Sequence, residues 1–328
     1  MPEVSVIVPA FRAEDTIADA IAGLQQQTLR DIEIIVVDDA SPDGTAQVVR
    51  RLAATDPRIV LLKTERNAGP GIARNLGLEH ARSTWVALLD ADDRYLPERL
   101  AQLTAIGEQY DADIVADNLL IVGSGNEPDA RLLDNGALPS ERWIDALHFV
   151  EGNIGSGRSG PRSLGFLKPI IRTSFLRQHE PRYPKARFAE DFLFYLECLL
   201  SGAKWLLTPL ALYCYVQREG SLTRSHSADD LTLLATAELA ILAHPAVQAS
   251  PQLRKAIERH RVTVELAASW MRFATAIKRR NLRDAAANLF RSRAAFGHIV
   301  AEGIRTSARL AATSLGRRNQ RTRLDPVE

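Results

Sequence analysis

The sequence predicts an α/β protein in which a mostly parallel sheet is flanked by helices and followed by a helical C-terminal extension. Three observations lead to this prediction. Short β-branched runs alternate with helical segments in the first third of the chain. Polar or turn-forming residues follow every one of these runs, and the chain from about residue 227 is rich in Ala, Leu and Arg. Such alternation is typical of parallel strands covered by helices on both faces.

The first third contains four predicted strand and helix pairs. Their bounds are Val4–Val8 with Thr16–Gln26, Ile32–Val37 with Gly44–Ala54, Ile59–Leu62 with Gly71–His80, and Trp85–Leu89 with Pro97–Glu108. Ligands of open α/β sheets bind beyond the carboxyl ends of the strands. We therefore expect the four loops that follow these strands to meet in one crevice.

The alternation ends at about residue 118, and Gly/Ser-rich loops follow at 123–128 and 152–160. The second loop is long enough to predict a flap. A helix over Glu190–Leu200 and two strands, Trp205–Thr208 and Ala211–Val216, come next. We divide the chain into 1–118, 119–226 and 227–328.

Charge is unevenly distributed along the chain. Residues 271–328 hold 13 Lys and Arg residues against four Asp and Glu residues, whereas the net charge of the whole chain is +1. This pattern predicts a body with an acidic site and a basic helical element that meets an anionic surface. The sequence has no run of about 18 to 20 apolar residues that could span a membrane, so we expect a cytoplasmic protein.

Three carboxylates, Asp90, Asp92 and Asp93, stand at the end of the fourth predicted strand. Carboxylates one residue apart in extended backbone point the same way, so Asp90 and Asp92 can share a hard cation. A divalent ion held there could neutralise a diphosphate. From the residues alone, an alternative stays open in which Asp92 or Asp93 caps the following helix.

Other classes of function fit the sequence poorly. A dehalogenase-like phosphatase would carry its nucleophilic aspartate on the first strand, not the fourth. The segment from Gly69 to Arg74 resembles a dinucleotide-binding motif but has arginine in place of the third glycine. Nucleic-acid binding is not expected, because the chain has no aromatic residues interleaved with basic ones and no strongly basic overall balance.

Five motifs occur in an order and spacing that resemble the inverting glycosyltransferases of family 2. That family has the GT-A fold, a Rossmann-like, mostly parallel sheet flanked by helices. The resemblance covers about residues 2–224 and departs at Arg12, where the family usually has asparagine. The motifs are Pro9-Ala-Phe11, residues 36–41, residues 67–77, residues 89–93 and Ala189-Glu190-Asp191.

The resemblance implies a binding site for a UDP-sugar donor. Pro9 and Phe11 would border the uracil, and Asp39 would accept a hydrogen bond from the base. Gly69 and Arg74 would lie near the ribose and the donor sugar, and Arg218 would lie in a loop that closes over the diphosphate. The halves 1–118 and 119–226 would then bind the nucleotide-sugar and the acceptor.

The same resemblance implies a metal and a catalytic base. Asp92 would bind Mg²⁺ or Mn²⁺ directly, with Asp90 near the ribose or in the water shell of the ion. Asp191 would be the base that activates an acceptor hydroxyl, and a single base implies inversion at the anomeric carbon. Spacing alone leaves a helix-capping role for Asp191 open.

Four further segments look like the succinoglycan-type exopolysaccharide glucosyltransferases of soil bacteria. This narrower resemblance implies glucose as the donor sugar and a polyprenyl-diphosphate-linked oligosaccharide as acceptor, at the inner face of the plasma membrane. The apolar stripe of 296–308 and the basic residues around it would meet an anionic membrane surface, or else pack as a helical bundle on the catalytic domain. A nucleotide-sugar-binding subunit without transferase activity is the alternative function. The segments are 116–119, 165–171, 190–195 and 218–223.

Overall fold

The computed structural model of this chain describes residues 1–123, 128–133, 140–154, 164–217, 226–290, 292 and 294–303. Contacts divide the chain into two compact units. The first is Met1–His226 with Ala237–His260, and the second is Ser227–Thr236 with Arg261–Glu328.

The first part of the chain forms four parallel strands, as predicted. Strands β1 to β4 occur in the order β3-β2-β1-β4 and alternate with helices α1 to α4. Strands β1 and β2 are buried along almost their whole length, because helices cover both faces of the sheet. The elements are β1 (Val4–Ala10), α1 (Ile17–Gln25), β2 (Ile32–Asp38), α2 (Thr45–Ala53), β3 (Ile59–Lys63), α3 (Pro70–His80), β4 (Trp85–Leu88) and α4 (Arg99–Gln109).

The second part of the sheet is mixed. Its strands are β5 (Arg94–Tyr95), β6 (Ile114–Val122), β7 (Pro128–Arg131), β8 (Arg142–Ile144), β9 (Ile170–Arg172) and β10 (Trp205–Val216). Strand β9 lies antiparallel between β4 and β6, while β6 and β10 are parallel neighbours. The α/β class is therefore confirmed, with a sheet whose second half adds antiparallel pairs to the parallel first half.

The prediction of two separate strands at 205–216 is wrong. Strand β10 runs unbroken through Pro209, and its register against β6 shifts between Leu207 and Ala211. Proline has no amide hydrogen to donate, but it is tolerated where a bulge interrupts the ladder. The strand continues past this bulge, and its C-terminal end lies at the candidate site described below.

Between α4 and β10, the described residues form the helices α5 (Ala146–Asn153), α6 (Thr173–His179) and α7 (Glu190–Leu200). Helix α7 has the predicted bounds, and nearly all of its side chains are buried. Its Phe192 and Tyr195 pack on Phe149 of α5, which also contacts Trp205 of β10. This aromatic core fixes the amino end of α7, where Glu190 and Asp191 stand.

The C-terminal part of the described chain is helical, as predicted. It contains α8 (Ala228–Ile241), α9 (Pro245–Gln248), α10 (Pro251–Lys278) and α11 (Leu282–Leu289), and residues 294–303 are helical as well. Among the described helices, none has the length and apolar character that a membrane span requires.

Candidate functional site

The loops beyond the parallel strands meet at one edge of the sheet, as expected. The parallel register places Ala10 of β1 beside Asp38 of β2, and the amide of Asp39 donates to the carbonyl of Ala10 at 2.8 Å. On the other side of β1, the amide of Leu89 donates to the carbonyl of Ile7 at 3.1 Å. The motifs after β1, β2 and β4 therefore lie side by side.

Asp39 ties the end of β2 to the loop that opens α3. Its buried carboxylate accepts hydrogen bonds from the hydroxyl of Thr64 at 2.7 Å and from the amides of Ala68 at 3.0 Å and Gly69 at 2.8 Å. Gly69 has a φ of 92°, a conformation that side-chain-bearing residues rarely adopt. The carboxylate predicted to contact the base thus also shapes the glycine loop predicted to approach the ribose.

The first loop contains the aromatic residue predicted to border the base. Phe11 is 43% exposed, and the guanidinium of Arg12 lies 5.4 Å from the centre of its ring. Arg12 has a left-handed φ of 52°, and its amide donates to the hydroxyl of Ser41 at 3.1 Å. Asparagine adopts this conformation more readily than arginine does, which gives a physical reason for asparagine at this position in the family.

Five ionised side chains form a cluster at the carboxyl end of β4. We call Arg74, Asp90, Lys168, Glu190 and Asp191 the ionic cluster. Arg74 donates to Asp90 at 2.9 Å and to Glu190 at 2.8 Å, and its Nη1 lies 3.0 Å from Oδ1 of Asp191. The ammonium of Lys168 lies 2.6 Å from Oδ2 of Asp191 and 3.2 Å from Oδ2 of Asp90. The two cations therefore join the acidic loop after β4 to the start of α7.

The segment before α7 is fixed on helix α3. The side chain of Asn75 donates to the carbonyl of Tyr183 and accepts from its amide, both at 2.9 Å. The ring of Tyr183 stacks on Phe194 with centroids 3.9 Å apart. A Cβ on Gly71 would stand 3.0 Å from the carbonyl of Pro184, so glycine permits this close approach without displacing the neighbouring segment. The segment that leads into α7 is therefore packed against α3, which brings Asp191 close to Arg74.

Arg74, Asp90 and Lys168 keep their charges within the ionic cluster, although little of Arg74 and Lys168 is exposed. Burial acts to raise the pKa of Asp90, but Lys168 and Arg74 outweigh it and lower that pKa to about 2. Burial acts to lower the pKa of Lys168, but the carboxylates of Asp191 and Asp90 raise it above the ordinary value. The pKa of Arg74 is raised as well, since three carboxylates outweigh its burial. These opposite charges are paired, which is the condition for keeping them inside a protein.

Asp93 has a different environment from the ionic cluster. It is buried, and its carboxylate accepts from the hydroxyl of Tyr213 at 2.7 Å and from the amide of Val216 at 2.8 Å. Burial, with the nearby charges of Asp90 and Asp92, raises the pKa of Asp93 well above its ordinary value. The interpretation of Asp93 as a helix cap is wrong, because α4 begins at Arg99 after Glu98.

Asp92 is half-buried at the tip of the same loop. In the described part of the chain, no three His, Cys, Asp or Glu side chains are grouped closely enough to hold a metal ion. A divalent ion at this loop would therefore take one or two carboxylates from the protein and further oxygens from a bound phosphate, which is the usual arrangement for Mg²⁺. Burial is the main cause of the raised pKa of Asp93, and the charges of Asp90 and Asp92 add to it, so the loop carries negative charge that suits a cation.

Sequence reasoning left the role of Lys168 undecided and missed its contacts. A signal was available, because a lysine in the apolar run from Gly165 to Ile171 must be paired if that run is buried. Arg218, predicted to close over the diphosphate, lies outside the described residues, as does most of the predicted flap at 152–160. The other predicted site residues all lie along the carboxyl edge of the sheet.

Comparisons with known proteins agree with this arrangement. Residues 5–172 match the model of the family described as Glycosyl transferase family 2. The succinoglycan biosynthesis protein ExoU of Rhizobium meliloti (strain 1021) is 36% identical over 261 residues, which cover 79% of this chain and 74% of that protein.

Two solved structures show the same fold. S. aureus TarS 1-349 in complex with UDP-GlcNAc has a TM-score of 0.61 at 20% identity, with 88% of this chain and 91% of that chain covered. The mannosyltransferase PcManGT from Pyrobaculum calidifontis, in complex with GDP-Man and Mn2+, has a TM-score of 0.60 at 22% identity, with 95% and 81% covered.

Proposed function

The chain belongs to glycosyltransferase family 2 and has the GT-A fold, and from this premise we propose that it is a metal-dependent, inverting hexosyltransferase. Its donor is a UDP-sugar, UDP-glucose in our proposal, and its acceptor is a polyprenyl-diphosphate-linked oligosaccharide of bacterial exopolysaccharide biosynthesis. The similarity to ExoU, a succinoglycan biosynthesis protein, supports a role in exopolysaccharide synthesis. The observation that carries the proposal is the ionic cluster, which unites the acidic loop after β4 with an aspartate at the start of α7.

The donor nucleotide binds along the carboxyl ends of β1, β2 and β4 in this proposal. Pro9 and the exposed ring of Phe11 border the base, and Asp39 stands behind the glycine loop that approaches the ribose. Arg74 acts through the carboxylates that it binds, since its guanidinium contacts Asp90, Glu190 and Asp191. Arg218 contributes to the diphosphate site from a loop outside the described residues.

The metal site centres on Asp92. Both oxygens of Asp90 contact cations, Oδ1 contacting Arg74 and Oδ2 contacting Lys168. In our proposal Asp90 therefore lies in the water shell of the ion, and Asp92 binds the ion directly. A Mg²⁺ or Mn²⁺ ion, when bound, would stabilise the negative charge that develops on the departing diphosphate. The Mn2+ in the structure of PcManGT supports this assignment.

Asp191 is the base in this proposal. One of its oxygens takes the proton from an acceptor hydroxyl as that hydroxyl oxygen forms a bond to the anomeric carbon of the donor sugar. The bond from that carbon to the diphosphate oxygen breaks on the opposite face, and its electron pair leaves with UDP. A single displacement inverts the configuration, so an α-linked donor yields a β-linked product.

The second unit supplies the attachment to a membrane surface in this proposal. Residues 277–283, which we call the basic corner, are all exposed, and they join the end of α10 to the start of α11. The basic corner contains Lys278, Arg279, Arg280 and Arg283 beside Leu282, which is 73% exposed. Cations interleaved with exposed apolar side chains suit an anionic lipid surface, where a lipid-linked acceptor would be found.

Calorimetric titration with UDP, with and without Mn²⁺, tests the donor site. We expect wild-type protein to bind UDP more tightly with Mn²⁺, and Asp92→Asn to lose that gain because it removes the ligating carboxylate. Asp111→Asn is the matched control, because Asp111 is an exposed aspartate that pairs with Lys204 and belongs to none of the site motifs. If Mn²⁺ strengthens UDP binding equally in Asp92→Asn, the metal assignment is wrong. If wild-type protein binds no UDP, the donor assignment fails.

A further inference from the structure

Lys168 makes the closest contact to the carboxylate assigned above as the base. Its ammonium lies 2.6 Å from Oδ2 of Asp191 and 3.2 Å from Oδ2 of Asp90, and its side chain is 9% exposed. We propose that Lys168 is a positioning residue that holds one oxygen of Asp191 at a fixed place relative to Asp90 and so sets the orientation of the base. This inference rests on the proposed function, because it gives Lys168 a role in that reaction.

The topology of the sheet brings Lys168 to this position. Strand β9 runs antiparallel to β4, with Ile170 opposite Ala87, so the start of β9 lies beside the carboxyl end of β4. Lys168 stands two residues before β9, and Asp90 stands two residues after β4. Because β9 runs in the direction opposite to β4, the residues just before β9 lie beside the acidic loop that follows β4. Lys168 is one of these residues.

The backbone of Lys168 is held in place by the buried side chain of Arg99. The guanidinium of Arg99 donates to the carbonyl of Lys168 and to the carboxylate of Asp117 at 2.6 Å, and the side chains of this ion pair are fully buried. The guanidinium also lies over the ring of Tyr95, 4.2 Å from its centre. A lysine with a fixed backbone and a buried stem has few conformations left, so its ammonium can serve as a fixed point.

The two oxygens of Asp191 are treated differently. Oδ2 accepts from Lys168, whereas Oδ1 has no hydrogen-bond partner among the described residues, although Nη1 of Arg74 lies 3.0 Å away. A carboxylate oxygen has lone pairs for more than one donor. Oδ1 is itself buried and faces Arg74, so each oxygen of Asp191 lies against one cation, and the bond from Lys168 sets the orientation of the carboxylate.

Substitutions of Lys168 test the proposal. Lys168→Met keeps the length of the side chain and removes the ammonium, and we expect it to lower kcat about 100-fold, because a displacement of about 1 Å in a reacting group costs this much. UDP affinity should stay close to the wild-type value. Lys168→Arg keeps the charge and should recover a large part of the lost kcat. The matched control is Lys204→Met, which removes a lysine that is also paired with an aspartate but lies outside the site.

Crystal structures of both Lys168 variants give a readout that does not depend on turnover. We expect the Asp191 carboxylate to rotate in Lys168→Met and to keep its place in Lys168→Arg. If Lys168→Met does not fold, Lys168→Gln, which keeps a donor without a charge, takes its place. A methionine or glutamine variant with near-wild-type kcat, or one with an unmoved Asp191, would overturn the proposal. Equal loss of kcat in both Lys168→Arg and Lys168→Met would also overturn it. Absence of transfer by wild-type protein would instead refute the proposed function.

Discussion

Asp191 differs from an aspartate that only caps a helix, because it stands at the start of a helix and also contacts two cations. It stands in the first turn of α7, where the partial positive charge of the helix favours a carboxylate. Yet its oxygens contact two cations of the ionic cluster rather than the amides of its own helix. The residue before Glu190, Ala189, has a left-handed φ of 57°, which turns the chain sharply into the helix. A left-handed φ at a residue other than glycine costs conformational free energy that an ordinary helix cap does not require. Such strain is typical of sites that position reacting groups.

Replacing Asp191 with asparagine should abolish transfer. The change keeps the size of the side chain and removes its ability to accept the hydroxyl proton, so we expect kcat to fall by about 100-fold or more. UDP binding, measured by calorimetry, should remain close to the wild-type value because the base does not contact the nucleotide in our proposal. Turnover of Asp191→Asn close to that of the wild type would contradict the assignment. No turnover by either protein would favour a nucleotide-sugar-binding subunit.

Individual site residues differed in how far the sequence could identify them. Asp90 and Asp92 come directly after a strand that periodicity predicts, so their placement at the sheet edge followed from the pattern. Asp191 was assigned to the site through the family resemblance, because its spacing alone also fitted a helix cap. Lys168 could not be placed in this way, because its position depends on β9 pairing antiparallel with β4. A contact between residues that are distant in sequence depends on topology, which local patterns do not contain.

At the level of elements, Asp93 connects the acidic loop to the far end of β10. Its carboxylate accepts from the hydroxyl of Tyr213 and the amide of Val216, both on that strand. The hydroxyl of Tyr213 lies 3.2 Å from the amide of Asp90, so the same strand also supports the loop backbone. The conformation of the loop that carries Asp92 therefore depends on a buried carboxyl group.

Replacing Asp93 with asparagine should change how stability depends on pH. Burial raises the pKa of Asp93, so the folded state binds a proton that the unfolded state releases, and this contribution to stability is lost as pH rises above about 4. Asparagine imitates the protonated form and does not titrate. We expect the free energy of unfolding of Asp93→Asn, relative to wild type, to increase from pH 4 to pH 8.

Urea unfolding at a series of pH values, in the presence of a chelator, measures this difference. The series starts at pH 4 because Asp90, whose pKa is lowered to about 2, contributes a slope of the opposite sign mainly below that pH. The comparison with wild type removes the contributions that the two proteins share. Asp111→Asn serves again as the control, since that aspartate is exposed. A constant difference between Asp93→Asn and wild type across the pH range would show that Asp93 does not have a raised pKa.

Elements of the first half were easier to predict than those of the second. Each strand from β1 to β4 is a short, mostly apolar run that alternates with helical segments, and its identity is visible in a short window. Strands β5, β8 and β9 have only two or three residues, and they exist because longer strands lie beside them. Strand β10 shows the opposite case, since Pro209 suggested a break that a bulge against β6 accommodates.

At the scale of the whole molecule, the excess of positive charge in residues 271–328 belongs to the second unit. Three consecutive cations, Lys278, Arg279 and Arg280, follow the exposed Ile277 at the end of α10. Arg280 has a left-handed φ of 54°, and its amide donates to the carbonyl of Ile277, so the chain turns at this place and presents the cations together. Much of the predicted apolar stripe, from residue 304 onward, lies outside the described residues. The basic corner therefore provides the sharper test of the membrane hypothesis.

The basic corner should determine binding to anionic vesicles. We expect wild-type protein to sediment with vesicles of phosphatidylglycerol and phosphatidylcholine, and to be released by salt because the attraction is electrostatic. Each cation near an anionic leaflet contributes about 1 kcal/mol, so changing Lys278, Arg279, Arg280 and Arg283 to glutamine should weaken binding by up to about three orders of magnitude. The control variant changes Arg254 and Arg261, which pair with glutamates on their own helix. Turnover with a water-soluble acceptor should be unchanged in the fourfold variant, because the basic corner lies in the second unit and the ionic cluster in the first. It should be unchanged in the control variant as well, because neither Arg254 nor Arg261 belongs to the ionic cluster. Equal vesicle binding by the wild type and the fourfold variant would remove the basic corner from the membrane hypothesis.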